Sequence, residues 1–298
     1  GVDVANDVGV IIVNDGSKTH ISRELLDSFP FNWTYIMSDH KGVSAARNTA
    51  LRAATADYVM FCDADDMFVN VCGLYVVFRE MAGSGFNVLI SAFIEVTRTT
   101  DTKERVYVNH DMDQTFVHGK VFNRRYLLDN RIYWNEDLTI HEDSYFNALA
   151  QKLTPDIKYC AQPFYLWRWR DDSVCRHDPK YILKTYNNMI DSMTALADEL
   201  IMRHRSDDAR FYVTSIVYDA YYMMNKDEWL NQENQEYRAS TEKHFKRFYE
   251  KFKDLIESAS PELRNQIIMG MKNRFFGEGV FMESVTFGDW MAHILSLN

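Results

Sequence analysis

Nowhere in the 298 residues does an apolar run approach the roughly 18 needed to cross a bilayer, and no secretory pattern opens the sequence. A cytoplasmic chain is the expectation. Cysteine is scarce: Cys62, Cys72, Cys160 and Cys175 show no C-x-x-C spacing, which argues against a paired-cysteine zinc or redox motif. Cys62 and Cys72 lie in or beside apolar runs, so reduced core thiols are expected. Also missing are the G-x-x-x-x-G-K-[ST] phosphate loop, the G-x-G-x-x-G dinucleotide fingerprint and the H-E-x-x-H zinc helix. Positive charge is short as well, with 33 Lys and Arg against 43 Asp and Glu and a net charge of −10. That balance argues against an electrostatic grip on nucleic acid. One stretch departs from it. Trp167-Arg-Trp-Arg170, followed by Arg176 and His177, reads either as a basic aromatic groove or as core tryptophans with arginines paired to Asp171 or Asp172.

Core-forming residues are plentiful, with 46% hydrophobic and 14% aromatic, enough for one α/β domain and a smaller appended one. Strand-like Val8–Val13, Thr34–Met37 and Asp57–Cys62 alternate with helix-like stretches at Ile21–Phe29, Val43–Ala54 and Val71–Met81. Such alternation predicts a mainly parallel sheet with helices on both faces. After the Gly83-Ser-Gly85 turn, Asn87–Val96 and Glu104–Val108 read as a hairpin, and helices are expected near Arg124–Asn130 and over Glu142–Lys152. Beyond Lys180 the apolar residues recur at helical spacing, as in Ile182, Tyr186, Met189, Met193 and again in Phe245, Phe248, Phe252. Ser260-Pro261 reads as a helix N-cap followed by proline in the first turn.

Residues 57–66, Asp-Tyr-Val-Met-Phe-Cys-Asp-Ala-Asp-Asp, concentrate the chemistry. A buried strand ends there in Asp63, Asp65 and Asp66, at the edge where open α/β sheets hold ligands. Crowded carboxylates repel unless a cation lies between them, and oxygen donors suit Mg²⁺ or Mn²⁺. A second buried-strand run, Val10–Val13, ends in Asn14-Asp15-Gly16-Ser17, where Gly16 permits a tight turn. Gly42-Val-Ser-Ala-Ala-Arg-Asn48 reads as a small-residue helix, capped by Ser44 and carrying Arg47. His118-Gly119-Lys120 and His141-Glu142-Asp143 follow. The Glu142-Asp143 pair opens a helix, whose dipole favours ionised acids while their mutual repulsion raises one pKa.

In this order and spacing the set resembles the family-2 inverting glycosyltransferases of the GT-A fold, with their V-x-D-G-S turn, G-x-S-x-A-R-N helix, D-A-D-D strand end and E-D pair. The resemblance runs from about Val8 to Ser173. It implies metal-dependent transfer of a hexosyl or N-acetylhexosaminyl group from a nucleotide-sugar donor, most plainly a UDP-sugar, to a hydroxyl of a glycan, lipid-linked or polymer acceptor. It further implies Asp143 as base with Glu142 beside it, and Asp65 and Asp63 on Mn²⁺ or Mg²⁺. Asp15, Arg47, Asp63 and Lys120 would meet the donor, with Asp66 orienting the following loop and His141 and His177 as possible further contacts. Arg47 could instead hold Asp15, Asp15 could serve only its own turn, and Gly119 would let a ligand approach. A non-catalytic nucleotide- or sugar-binding module on the same fold is the alternative.

The change to helical spacing beyond Lys180 places a boundary near residue 178, giving a GT-A-like catalytic domain over 1–178 and a helical region over 179–298, expected on the acceptor side or in a homo-oligomer. Aromatics such as Tyr218, Tyr221, Tyr222, Phe211 and Tyr212 motivate that second role, since one helical layer buries only so many rings. In the family a first strand precedes the V-x-D-G-S strand and lies between two others, yet only nine residues stand before Val10. The expectation is therefore an N-terminally incomplete domain that lacks that strand.

Overall fold

The computed structural model describes residues 3–297 apart from 71, 84, 100–101, 172, 174–177, 179 and 277–284. Asp172, Cys175, Arg176 and His177 therefore lie outside the described residues, as does Val71 at the start of an expected helix. Two compact units divide the chain, Gly1–Ser173 and Val174–Asn298, so the division falls ahead of residue 178.

The first unit is an α/β assembly. A short helix α1 (Val4–Asp7) leads into β1 (Gly9–Asp15), α2 (Arg23–Asp27), β2 (Asn32–Ser38) and α3 (Val43–Ala53). Then come β3 (Tyr58–Val59), β4 (Met67–Phe68), α4 (Gly73–Gly83), β5 (Val88–Arg98) and β6 (Arg105–His110). β7 (Lys120–Asn123), α5 (Arg124–Asp129), α6 (Glu142–Lys152) and β8 (Ile157–Trp167) complete it. The β1–β2 pair is parallel and forms its own ladder. The larger sheet runs β3-β7-β5-β8-β4, with β6 also on β5.

Strand directions are more mixed than strand–helix alternation predicts. β5 and β8 are parallel, whereas β3–β7, β4–β8, β5–β6 and β5–β7 are antiparallel. The cause is local: the expected hairpin forms as β5–β6, and the chain then doubles back as β7 along the start of β5. Between β7 and β8 on its two edges, β5 is buried over Val88–Phe93 and forms the spine of the unit. Leu89, Phe93, Val121, Cys160, Phe164 and Tyr165 pack with Val76 and Val77 of α4 into one core cluster.

The two acid-bearing strands differ from expectation. Val10–Val13 is only partly buried, because β2 is the one strand paired with β1 among the described residues. The ladder of β3 stops at Val59, so Met60–Cys62 approach the acids outside any strand. Cys62 and Cys72 are accordingly exposed, each beside a turn, while Cys160 on β8 is the buried thiol.

In the second unit α7 (Tyr181–Met202), α8 (Ser206–Met224), α9 (Asp227–Leu230), α10 (Gln235–Glu257), α11 (Pro261–Phe276) and α12 (Phe287–Ser296) make a helical bundle. Ser260 caps α11 as its sequence indicates, its hydroxyl accepting from Leu263 N–H at 3.2 Å. The aromatic stripe is core rather than surface. Tyr218, Tyr221 and Tyr222 are buried against Phe287, Trp290 and Phe275, and Phe211 and Tyr212 are half-buried. The surplus of exposed rings that motivated a partner surface is absent from this stripe. Among the described residues no helix is long and apolar enough to cross a membrane.

Gly119 sits at φ +68°, and a Cβ there would lie 2.9 Å from the Ser91 carbonyl oxygen of β5. The missing side chain thus allows close approach of the β5 backbone, not of a ligand, and the Gly119 carbonyl accepts from Ser91 N–H at 2.9 Å. Gly42 has φ +94° but nothing within 4 Å of its Cβ position. Gly119→Ala should therefore cost about 1 to 3 kcal/mol, and more than Gly42→Ala, where only the backbone preference is violated. Urea-denaturation midpoints of the two variants measure the difference, and equal losses would contradict this account of Gly119.

Candidate active site

The site begins with one buried cation. Arg47 projects from α3 with its side chain 11% exposed, and its guanidinium donates to Asp63 Oδ1 at 2.7 Å and to Glu142 Oε1 at 2.8 Å. Its Cζ lies over the Trp134 ring at 4.4 Å, and Trp134 in turn stacks on Phe146 of α6 and meets Phe61 edge-on. An aromatic floor therefore ties α3, the approach to the acidic turn and the base of α6 together. Asn48, one residue after Arg47 in the small-residue helix, locks Trp134 in place. Its amide donates to the Trp134 carbonyl and its carbonyl accepts from Trp134 N–H, both at 2.9 Å.

Four residues, Asp63 to Asp66, form a tight turn closed by Asp66 N–H on the Asp63 carbonyl at 3.0 Å. Such a turn brings the first and fourth residues within about 7 Å of each other. Asp65 pairs with Arg170, 3.1 Å from its Oδ2. Asp63, Asp66 and His118 bring ligand atoms that all lie within 4.8 Å of one another, a group that could hold a metal ion and that does not include Asp65. Asp66 accepts from the Tyr165 hydroxyl at 2.5 Å and from Arg168 N–H at 2.9 Å, and burial, opposed by these bonds, pushes its pKa up to about 6. Burial lowers the His118 pKa to about 4, leaving a neutral imidazole. His118 Nδ1 is buried without a hydrogen-bond partner, 4.0 Å from Asp66 Oδ2. A neutral imidazole lone pair facing two carboxylates is a donor set that fits a divalent cation.

Glu142 and Asp143 stand in the first turn of α6, behind His141 at φ +62°. Glu142 is engaged with Arg47; Asp143 accepts from Ser144 N–H at 2.8 Å. Burial first, and the neighbouring Glu142 second, raise the Asp143 pKa to about 7. Lys120 on β7 does not stand at an open edge. It is fully buried, donates to the Phe116 carbonyl, lies 4.0 Å from Asp113, and burial lowers its pKa to about 8. Its charge is felt by Asp143 from within the core.

Asp15, at the end of β1, accepts from Lys41 N–H at 2.9 Å and Gly42 N–H at 2.8 Å, which fixes the loop that starts α3. Gly42 is thus the N-cap; Ser44 lies inside the helix, its hydroxyl directed to the Leu138 carbonyl at 3.4 Å. Asn14 rather than Asp15 holds the Asn14–Ser17 turn, accepting from Ser17 N–H at 2.7 Å. Arg47 does not reach Asp15 but joins Asp63 and Glu142. In the Trp167–Arg170 stretch, Arg170 pairs with Asp65 and Trp169 donates to Asp171, with which Arg98 also pairs. His118 and Tyr165 are the site residues the sequence reading left unassigned; an H-G-K tripeptide before a strand gives only the first of them any signal.

The chain is similar to several known glycosyltransferases. The "Glycosyltransferase GlyA" of Streptococcus pneumoniae serotype 4 is 26% identical over 217 residues, 64% of this chain and 31% of GlyA. The "Uncharacterized glycosyltransferase EpsJ" of Bacillus subtilis is 24% identical over 190 residues, 57% of this chain and 55% of EpsJ. The chain thus spans about a third and about half the length of these two relatives. Crystal structures of S. aureus TarS 1-349 share the fold. The complex with UDP has a TM-score of 0.57 at 15% identity, covering 90% of this chain and 83% of that one. The complex with UDP-GlcNAc has a TM-score of 0.59 at 16% identity, with the same coverage. The sequence pattern of glycosyl transferase family 2 matches residues 4–154, half of the chain, and the chain belongs to that family.

Proposed function

We propose that this protein catalyses the metal-dependent, inverting transfer of a sugar, hexosyl or N-acetylhexosaminyl, from a UDP-sugar to a hydroxyl on a glycan or surface polymer. The observation that carries the reading is Asp143. A carboxylate at a helix N-terminus, raised to about 7 beside an Arg47-bridged acid pair, is a general base tuned to neutral pH. The complexes of TarS with UDP and UDP-GlcNAc make a UDP-sugar the donor to test first.

Asp63, Asp66 and His118 would hold Mn²⁺ or Mg²⁺; Asp65 joins them only by exchanging Arg170 for the ion. When bound, the cation neutralises the charge that develops on the departing diphosphate. Ionised Asp143 takes the proton of the acceptor hydroxyl, whose oxygen attacks the anomeric carbon from the face opposite the diphosphate. The carbon–oxygen bond to the diphosphate breaks, and the electron pair leaves with it. Glu142, engaged with Arg47, orients the start of α6 rather than acting as a second base. Asp15 holds the loop before α3 and retains lone pairs for the nucleoside, while Lys120 acts on the site through its charge.

Three outcomes test this reading. Calorimetry should show UDP binding strengthened by Mn²⁺, and His118→Ala should remove most of the metal-dependent part. No UDP binding with or without Mn²⁺ would sink the enzyme reading. Asp143→Asn should abolish transfer and leave UDP affinity nearly unchanged, because the base meets only the acceptor. Retained transfer would pass the role to Glu142, and no transfer even by the wild type across sugar donors would leave a binding module. The wild-type rate should climb with pH through about 7 as Asp143 ionises. Stability moves the other way. A folded-state pKa above the usual carboxylate value means this group's contribution is full below the unfolded pKa and is lost as pH rises through about 7. Thermal melts should then show Asp143→Asn gaining on the wild type at pH ~8 but not at pH ~4.

A further inference from the structure

Tyr165, buried on β8, touches every member of the acid–histidine group without offering it a ligand atom. Its hydroxyl donates to Asp66 Oδ2 at 2.5 Å and accepts from Asp63 N–H at 3.3 Å. Its ring stacks on His118, with centroids 4.7 Å apart and planes 20° apart. On the far side of Asp66, the other carboxylate oxygen takes Arg168 N–H at 2.9 Å. A carboxylate with a donor fixed on each oxygen has its plane set, yet keeps lone pairs free on both. The imidazole is similarly restrained: Tyr165 and Phe116 lie stacked against it, and Trp167 and Phe93 meet it at steeper angles. Burial and the neighbouring acids push the phenol pKa well above its ordinary value, so the hydroxyl keeps its proton and remains a donor to Asp66.

We propose that Tyr165 is a positioning residue for the divalent cation: it holds the Asp66 carboxylate by its hydroxyl, the Asp63 turn by the same oxygen, and the His118 imidazole by its ring. The proposal rests on the metal-dependent reading above. Partners behind metal ligands fix ligand orientation, and their loss weakens metal affinity about 10- to 100-fold. A tyrosine serving only the core would cost stability without any particular effect on an ion. Tyr165→Phe separates the two, since it keeps the ring and its packing and removes only the hydroxyl.

Tyr126 supplies the control, because its buried hydroxyl donates to the Ala150 carbonyl at 2.6 Å, outside the acid–histidine group. Mn²⁺ affinity would be measured by paramagnetic resonance of the free ion, without nucleotide and again with UDP, each against a protein-free blank. Circular dichroism would confirm that each variant is folded. Tyr165→Phe should bind Mn²⁺ about 10-fold or more weakly, while Tyr126→Phe, which also lowers the melting temperature, should bind as the wild type does. Wild-type affinity in Tyr165→Phe, or an equal loss in Tyr126→Phe, overturns the proposal and leaves the metal reading standing. If the wild type itself holds no Mn²⁺ under either condition, the metal reading falls and this proposal falls with it.

Discussion

The charge of Arg47 is the constraint on which the site's architecture turns. A guanidinium that is 11% exposed must be paired, because leaving such a charge without partners costs about 3 to 5 kcal/mol. Its two partners come from different parts of the chain, Asp63 from the acidic turn and Glu142 from the head of α6. Satisfying one cation therefore fixes the distance between the acid–histidine group and the proposed base. Trp134 beneath the guanidinium adds a flat surface that a lysine could not use in the same way. Asn48 next to Arg47 then explains the Arg-Asn order in α3: one residue sets the ion bridge, the next pins the ring on which it rests.

Around that bridge acids outnumber cations. Asp63, Asp65, Asp66, Glu142 and Asp143 face Arg47, Arg170 and the charge of Lys120; burial first, with neighbouring acids adding to it, raises the pKa of Asp66 and Asp143. Such a cluster would repel an anionic diphosphate. A divalent cation held by Asp63, Asp66 and His118, as proposed, would reverse the local sign and make the same cluster attractive. Asp143 lies outside that group and keeps its elevated pKa from burial and from Glu142, so in the proposed mechanism ion binding and proton acceptance would fall to different carboxylates.

Much of the layout was legible in local sequence. The β1 run ending at Asp15, α3, the hairpin, the Glu142 start of α6 and the Ser260 cap all depend on neighbours a few residues apart. What escaped depends on contacts between distant segments. An Asp-x-Asp spacing shows neither the turn in which Asp66 N–H bonds the Asp63 carbonyl nor the pairing of Asp65 with Arg170, 105 residues away. Gly119 looked like room for a ligand, whereas the space is taken by the β5 backbone. The resemblance implies Lys120 as a donor contact, whereas it is fully buried on β7 and its amine donates to the Phe116 carbonyl. Tyr165 lies on β8, a strand with no clean alternation, and its link to Asp66 joins residues 99 apart.

The loop before β7 shows how these distant contacts are made rigid. Asn147 and Gln151, on one face of α6, donate to the Thr115 and Gln114 carbonyls at 2.6 and 3.1 Å. Asp113 caps the same loop by accepting from Thr115 and Phe116 N–H, and Lys120 closes it on the Phe116 carbonyl. The helix that begins with Glu142 and Asp143 is thereby stitched to the segment that delivers His118. A shift of α6 would move the proposed base and the histidine together, and Arg47 would carry Asp63 with them. Preorganisation of this kind lets buried dipoles and charges act without rearranging when charge develops. It also accounts for polar side chains as buried as Asn147 and Gln151, whose bonds keep two segments of the site in register.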